Sequence, residues 1–428
     1  MASGLGFDRE KEDNKGLPGL WDEVSEGFEY SLRMLTFGAY QGVADSSQNP
    51  DNNFFQIPRY VADLELRPDA RLNFRRLDLS VKPRGNIEWM AWEDGVKEGE
   101  SDLNDDWFVN EWLARIRVTE KLFVSYGREN LQWGPSYLFS PSNPFFRDNG
   151  RSNPKQEVPG MDFARLVWLP AMSWTISFIA NIDEGRQEFR FFEFDKIYAV
   201  KLDYSGQEAY ASIILSHQES DRNRLGVFGG WTATDALLIY GEETISRGTN
   251  ALYPIKANNP FGASMEEVDD QDLSLKGTVL AGGSYTLEVG PTLTVEYVYN
   301  GTGYSDGEAD LYYQLRQAAA DAYSLSGPIG DLSRLTLSRT ADPKLRFLRR
   351  NYIMLQYQQN DIRDLLNLTF RWTRNIDDGS GQFIAIMEYY IGEHTMIFSI
   401  GGINSGSSDT EFGTILDRHC MIGVEYTF

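Results

Sequence analysis

Cysteine is nearly absent from this chain of 428 residues, where Cys420 stands alone. No disulfide within the chain can staple the fold, and no Cys-rich metal site exists. A lone free cysteine reads as a small apolar packing residue. Histidine is almost as scarce: His217, His394 and His419 are too few and too scattered for haem or zinc ligation, so no cofactor and no metal is expected. No apolar run reaches the length of about 18 residues that a helical membrane span needs. Positive charge is in deficit, with 40 Lys and Arg against 63 Asp and Glu and a net charge of −23, which argues against nucleic acid as a partner. Interdomain linkers are missing too, although a soluble chain of this length would usually divide into two or three domains. The opening Met1-Ala-Ser-Gly lacks the charged and apolar regions of a secretory signal, and is read as the start of a mature form with a replaced start codon. Catalysis has little support. His394 and His419 have no Ser partner pattern, and Gly226, Gly229 and Gly230 lie within a strand pattern and form no phosphate cradle; no enzyme activity is expected.

What the chain has is aromatic residues in alternation. It carries 25 Phe, 22 Tyr and 10 Trp at a mean hydropathy of only −0.41. Period-two segments of about ten residues fall at 27–40, 59–71, 76–92, 108–119, 121–131, 162–170, 172–182, 196–204, 208–217, 223–232, 235–245, 273–285, 292–303, 350–360, 364–374, 382–391, 394–403 and 418–428, eighteen in all. The last is the clearest, with Cys420, Ile422, Val424, Tyr426 and Phe428 on one face and His419, Met421, Gly423, Glu425 and Thr427 on the other. Connections alternate between tight turns, as at Asn73 to Arg75 and Thr119 to Lys121, and long polar segments such as 41–58, 93–107, 132–161, 183–195, 246–272, 304–349 and 404–417.

Strands that are apolar on one side and polar on the other, with short turns at one end and long loops at the other, specify a transmembrane β-barrel. The predicted fold is all-β: an antiparallel up-and-down barrel of about 18 strands over 27–428, with infolded extracellular loops and residues 1–26 as an N-terminal periplasmic segment. Half of each strand faces water, which reconciles membrane residence with a polar average. Leu77, Leu79 and Val81, Trp112 to Val118, Trp174 to Ala180, Leu293 to Tyr299 and Leu366 to Trp372 supply lipid faces in steps of two, while Tyr204, Tyr299, Tyr357, Trp372 and Tyr389 sit near strand ends as interfacial girdles.

The opposite faces point into the lumen. Basic residues there include Arg67, Lys82, Arg84, Arg115, Arg117, Arg165, Lys201, Arg224, Lys276 and Arg371; the acids include Asp63, Glu65, Asp78, Glu88, Glu111, Asp203, Glu296, Glu388 and Glu425. Two readings stand. A base-enriched lumen attracts anions, or the charges pair with one another, as Glu111 with Arg115 or Arg117. The densest motif runs from Tyr126 to Phe146. Apolar-out phasing at Leu122, Val124 and Tyr126 puts Arg128 toward lipid unless Gly127 forms a bulge. A bulge is expected, with Arg128 in the pore and Trp133 and the Pro-rich segment folded into a constriction. In 304–349, helical spacing of Leu311, Leu315, Ala318, Ala319 and Ala322 predicts a helix over Asp306 to Tyr323.

The strand opening at Asn110-Glu111, the hairpin leading to Gly127-Arg128 and Trp133-Gly134, and the terminal Phe428 resemble the bacterial outer-membrane porin superfamily that includes the eighteen-stranded alginate-export porins and the capsule-assembly barrels. The resemblance implies a bacterial, Gram-negative outer-membrane location, with lipid, lipopolysaccharide and the barrel-assembly machinery as partners. It implies that Tyr426 and Phe428 form the assembly signal. The expected activity is a porin-like channel passing a polar or anionic substrate such as a polysaccharide or organic anion. Its expected pore lining is Lys82, Arg84, Glu111, Arg115, Arg117, Arg128, Trp133, Arg165, Lys201 and Arg371. The alternative is a non-catalytic sheath that docks a periplasmic or surface protein of an export or electron-transfer complex.

Overall fold

The computed structural model describes residues 20–146, 149–187, 194–220, 222–267 and 274–428. A short helix α1 (Leu20–Gly27) leads into β1 (Phe28–Val43), β2 (Tyr60–Phe74), β3 (Leu77–Ala91), β4 (Ser101–Thr119), β5 (Leu122–Glu129), β6 (Met161–Ala171), β7 (Trp174–Asp183), β8 (Ile197–Ser205), β9 (Ala209–Gln218), β10 (Arg222–Thr234) and β11 (Leu237–Arg247). A small hairpin, β12 (Leu252–Lys256) and β13 (Ala263–Glu267), precedes β14 (Leu275–Thr286) and β15 (Thr292–Asn300). Two helices follow, α2 (Asp306–Asp321) and α3 (Pro328–Ala341), and then β16 (Asn351–Ile362), β17 (Leu366–Asn375), β18 (Gly381–Ile391), β19 (Thr395–Ser405) and β20 (Leu416–Thr427). Of the expected N-terminal periplasmic segment, residues 1–19 lie outside the described residues.

Eighteen of these strands pair antiparallel with their neighbours in chain order. The ring closes where β1 meets β20, from Arg33 opposite Thr427 to Val43 opposite Leu416. Closure leaves no unpaired sheet edge in the bilayer, where an unsatisfied peptide group costs several kcal/mol. All eighteen predicted segments are strands of this barrel. The alternation in the sequence becomes an alternation of exposure: Leu79, Val81, Ile116, Phe178, Leu215, Val295, Tyr297, Phe370 and Ile422 all stand exposed on the outer wall. In water such a belt would be an aggregation site, and in lipid it is the solvated surface. The chain is a closed transmembrane β-barrel.

Aromatic pairs mark both rims. Tyr40 and Tyr60 lie 5.9 Å apart at the long-loop end. Trp174 and Tyr204 (5.0 Å) and Tyr426 and Phe428 (4.8 Å) lie at the short-turn end. Phe428 points outward, 63% exposed, with its amide donating to the Leu32 carbonyl.

At the long-loop end, α2, α3 and the β12–β13 hairpin form a cap. Its core joins Leu252, Tyr253 and Met265 of the hairpin to Tyr304, Tyr312, Tyr313, Leu315 and Leu348. The start of α2 is fixed by a capping box: Glu308 accepts from the Ser305 amide (2.7 Å) and the Ser305 hydroxyl (2.6 Å). Arg316, fully buried, donates to the Ser47 hydroxyl and the Ser408 carbonyl, which ties α2 to the first and last long loops. The sequence pattern predicts α2 almost to its ends but not α3 or the hairpin.

Candidate functional site

The segment between β5 and β6, residues 130–160, does not stand out from the barrel but crosses its interior. Two apolar contacts hold it on different walls. Phe145 and Phe146 pack with inward residues Phe163, Ile179, Ala199, Ile214 and Phe228, with Trp133 at the margin. Leu138 and Phe139 pack against Tyr240, Leu280, Val298, Tyr352 and Met354, joined by Phe347 from the base of the cap. Each buried aromatic ring contributes about 1.5–3 kcal/mol.

Buried carboxylates fix the backbone between these contacts. Glu296, fully buried, accepts from the Ser136 hydroxyl (2.9 Å), the Tyr137 amide (2.7 Å), the Leu138 amide (3.3 Å) and the Tyr240 hydroxyl (2.7 Å). Glu242 accepts from the Ser140 hydroxyl and from the Ser142 amide (2.9 Å) and hydroxyl (2.7 Å). A charged acceptor serving loop amides out of bulk water is worth more per bond than a neutral one. The far end of the loop is held on another wall. Glu157 accepts from Arg84 (2.7 and 2.9 Å) and from the Asn110 side chain (3.1 Å). Lys155 meets Glu388 at 2.7 Å and Glu425 at 3.6 Å, and its carbonyl accepts from Arg67 at 2.7 Å. Burial raises the Glu157 carboxyl, but the hydrogen bond from Arg84 and the charges of Arg84, Arg67 and Arg33 outweigh it and hold the group below its ordinary range.

Most of the basic residues expected to line the pore are spent on neighbours. Lys82 meets Glu111 at 2.8 Å, Arg115 meets Asp78 at 2.8 Å and Arg165 meets Glu129 at 2.9 Å. Lys201 pairs with Asp203 and lies 5.4 Å from the Trp133 ring centre. Arg84 bridges Glu157 and Asp69. Arg371, buried, donates to Gln356 (2.8 Å) and sits 5.7 Å from the Tyr137 ring. Arg117 remains exposed toward the short-turn end, 6.0 Å from the Phe123 ring. Glu111 therefore pairs across the β3–β4 ladder with Lys82, and not with Arg115 or Arg117, because residues 111, 115 and 117 share one strand and one face.

Arg128 departs most from expectation. The ladders to β4 and β6 run without a break through Gly127, so no bulge forms there, and Arg128 keeps the outward phase of Val124 and Tyr126. At the rim it pairs with Asp162 (2.7 Å) and donates to the Val109 carbonyl (3.3 Å). The bulge lies instead across the ladder in β4, where the register shifts between Lys82 opposite Glu111 and Pro83 opposite Val109. It frees Asn110 to reach Glu157. Gly127 is needed for proximity, since a Cβ there would collide with the Trp112 carbonyl.

Above the loop lies a cavity of about 1200 Å³, lined by loop residues from Phe139 to Pro159, by Lys344 to Arg346 at the base of the cap, and by wall residues of both signs. Missed at the sequence level are Glu242, Lys155 and Glu157. Glu242 sits at an inward step of its strand and was findable by phase. The two loop residues carry no periodic signal.

No protein-family model matches the chain, and neither does any curated protein. Solved structures match its fold. Acinetobacter baumannii OccAB1 aligns with 13% identity over 94% of this chain and 97% of its own (TM-score 0.57). Pseudomonas aeruginosa OccK7 aligns with 11% identity over 94% and 98% (TM-score 0.55). The outer-membrane protein OprD of the same organism aligns with 9% identity over 93% and 94% (TM-score 0.54). At such identities the likeness is one of fold, and that fold is the closed antiparallel eighteen-stranded β-barrel.

Proposed function

We propose that the chain is an outer-membrane channel for small polar solutes, narrowed by loop 130–160. One observation carries the reading: the loop is fixed across the lumen to opposing walls, by Glu242 and Glu296 on one side and by Arg84, Arg67, Glu388 and Glu425 on the other. A constriction that discriminates must hold its shape, and buried, charge-assisted anchors on several strands supply that rigidity. The cavity above it, with both charges and hydroxyls in its wall, suits a hydrated organic solute.

Two other expectations find less support. A sheath enclosing a partner protein needs a clear lumen, and the loop occupies it. A polysaccharide route drew on Arg128 as a pore residue, yet Arg128 is spent on Asp162 at the rim. Liposome swelling tests the reading. Vesicles carrying the barrel should admit arabinose and glycine and exclude a trisaccharide, and swelling indifferent to solute size, or none at all, refutes the size-limited channel.

A further inference from the structure

We infer that the cavity wall at β2 and β3 carries a cation-binding station, centred on Asp63 and Glu88, that takes the protonated amine of a small organic solute. The inference rests on the channel reading and names a substrate class for it.

Asp63 and Glu88 stand directly opposite one another across the β2–β3 ladder, and both line the cavity. Like charges so placed repel, so a folded barrel keeps them only if something compensates. Among the described residues no cation pairs with either. Asp63 is 8% exposed, its Oδ1 is fully buried, and that atom has no hydrogen-bond partner.

The nearby cations are committed elsewhere. Arg67 donates to Glu65 (2.7 Å) and to the Lys155 carbonyl. Arg84 is held by Asp69 and Glu157, which Arg33 also approaches, at 3.6 and 3.9 Å. Lys155 is shared by Glu388 and Glu425. The network thus sets four cations against seven carboxylates once Asp63 and Glu88 are included, and the two without a partner are the two that face each other in the cavity. A low-dielectric wall focuses that surplus into the passage.

The chemistry favours an ammonium over a metal ion. No three metal-ligating groups converge among the described residues, and two carboxylates with a ring beside them, Phe37 standing opposite Asp63 on β1, suit a hydrogen-bonding organic cation. Elsewhere in the cavity wall Thr244, Thr278 and Asn300 present neutral polar groups that can hydrate the remainder of such a solute, and Arg222, Arg224, Lys344 and Arg346 leave room there for a carboxylate on it but not for a second ammonium.

The test uses the full-length barrel in planar bilayers under a KCl gradient, with 1,4-diaminobutane added on one side, and compares wild type with Asp63→Asn/Glu88→Gln and with Glu88→Gln alone. Each variant removes repulsion, so folding is preserved, and heat-modifiability on gels verifies it. Wild type should prefer K⁺ over Cl⁻ and be blocked by diaminobutane. The double variant should lose most of that preference and need about tenfold more diaminobutane for half-block, which corresponds to one lost charge-assisted contact, with Glu88→Gln in between. Anion preference in wild type, or equal block in all three, overturns the station while leaving the channel intact. If no form conducts, the channel reading fails. Calorimetry of diaminobutane with the detergent-solubilised barrel then decides the station alone: heat lost in the double variant supports it, and no heat in wild type overturns it.

Discussion

Replacing Glu296 with glutamine removes the acceptor on which one end of the constriction hangs. Four donors converge on its two oxygens: the Tyr137 and Leu138 amides and the Ser136 and Tyr240 hydroxyls. Glutamine keeps one oxygen and presents an NH₂ where the other accepted. About half of the donors then face a donor in a fully buried setting, at about 1–3 kcal/mol for each buried group left unpaired. The cost of holding Ser136 to Leu138 against the wall is therefore on the order of 2–6 kcal/mol. The Leu138 and Phe139 contact offsets part of it, because those side chains stay buried against Tyr240, Leu280 and Val298. The expected result is a loop that still occupies the lumen but samples detached states: single-channel recordings show a noisier open level and a higher mean conductance, and limited proteolysis from outside begins to cut within 134–152. The barrel keeps its strand content, since the β14–β15 and β15–β16 ladders do not use the side chain. Unchanged conductance, noise and protease resistance in a correctly folded Glu296→Gln barrel would falsify the assignment of Glu296 as an anchor.

Three further outcomes are expected. Arg128→Ala, which breaks the rim pair with Asp162 and leaves that mostly buried carboxylate without its partner, should lower stability by about 1–3 kcal/mol and leave ion preference untouched; a changed preference would put Arg128 back in the pore. Glu411 is raised from 4.5 to about 7 by burial at the seam where it accepts from the Leu348 amide, the Tyr352 hydroxyl and the Asn375 side chain. The folded state holds that proton more tightly than the unfolded chain, so its contribution is fully present below pH 4.5, declines as pH rises, and is gone above about pH 7. Hydrogen exchange at 346–352 and 408–413, corrected for intrinsic rates, should accordingly be faster at pH 8 than at pH 5, and equal protection contradicts the burial argument. Deleting Phe428, exposed at the seam beside Tyr426, should lower the yield of assembled barrel in membranes without altering the far-ultraviolet spectrum of what does assemble; normal yield excludes an assembly role.

The barrel was legible in the sequence because its physics is local. A strand between lipid and water must alternate, and eighteen segments do, so each one is found within three residues of its observed bounds except β4, which starts at Ser101, seven residues before the expected 108. What escaped has no period to read. α3 buries Ser333, Thr336, Leu337 and Thr340, a helical stripe that is mostly hydroxyl, so no apolar repeat announces it; only Pro328 after Gly327 hints at a helix start. The β12–β13 hairpin is two strands of five residues, too short for alternation to stand out. Arg128 was misplaced because a bulge was assigned to the glycine in β5, when the ladder puts it in the partner strand at Asn110. The ion pairs were the least legible part of the site. They depend on register between strands up to 37 residues apart in the chain, as for Asp78 and Arg115, and on loop residues such as Glu157 that reach Arg84 from 73 residues away.

The central claim is that loop 130–160 is the constriction of an open pore, and single-channel conductance with the loop present and trimmed tests it most directly. Replacing 136–152 with a short Gly-Ser turn removes the Glu296 and Glu242 anchors and both aromatic contacts while leaving β5 and β6 intact. Wild type should show discrete small openings and the trimmed barrel openings several times larger, in proportion to the lumen released. Equal conductance in the two, or silence in both, contradicts the claim.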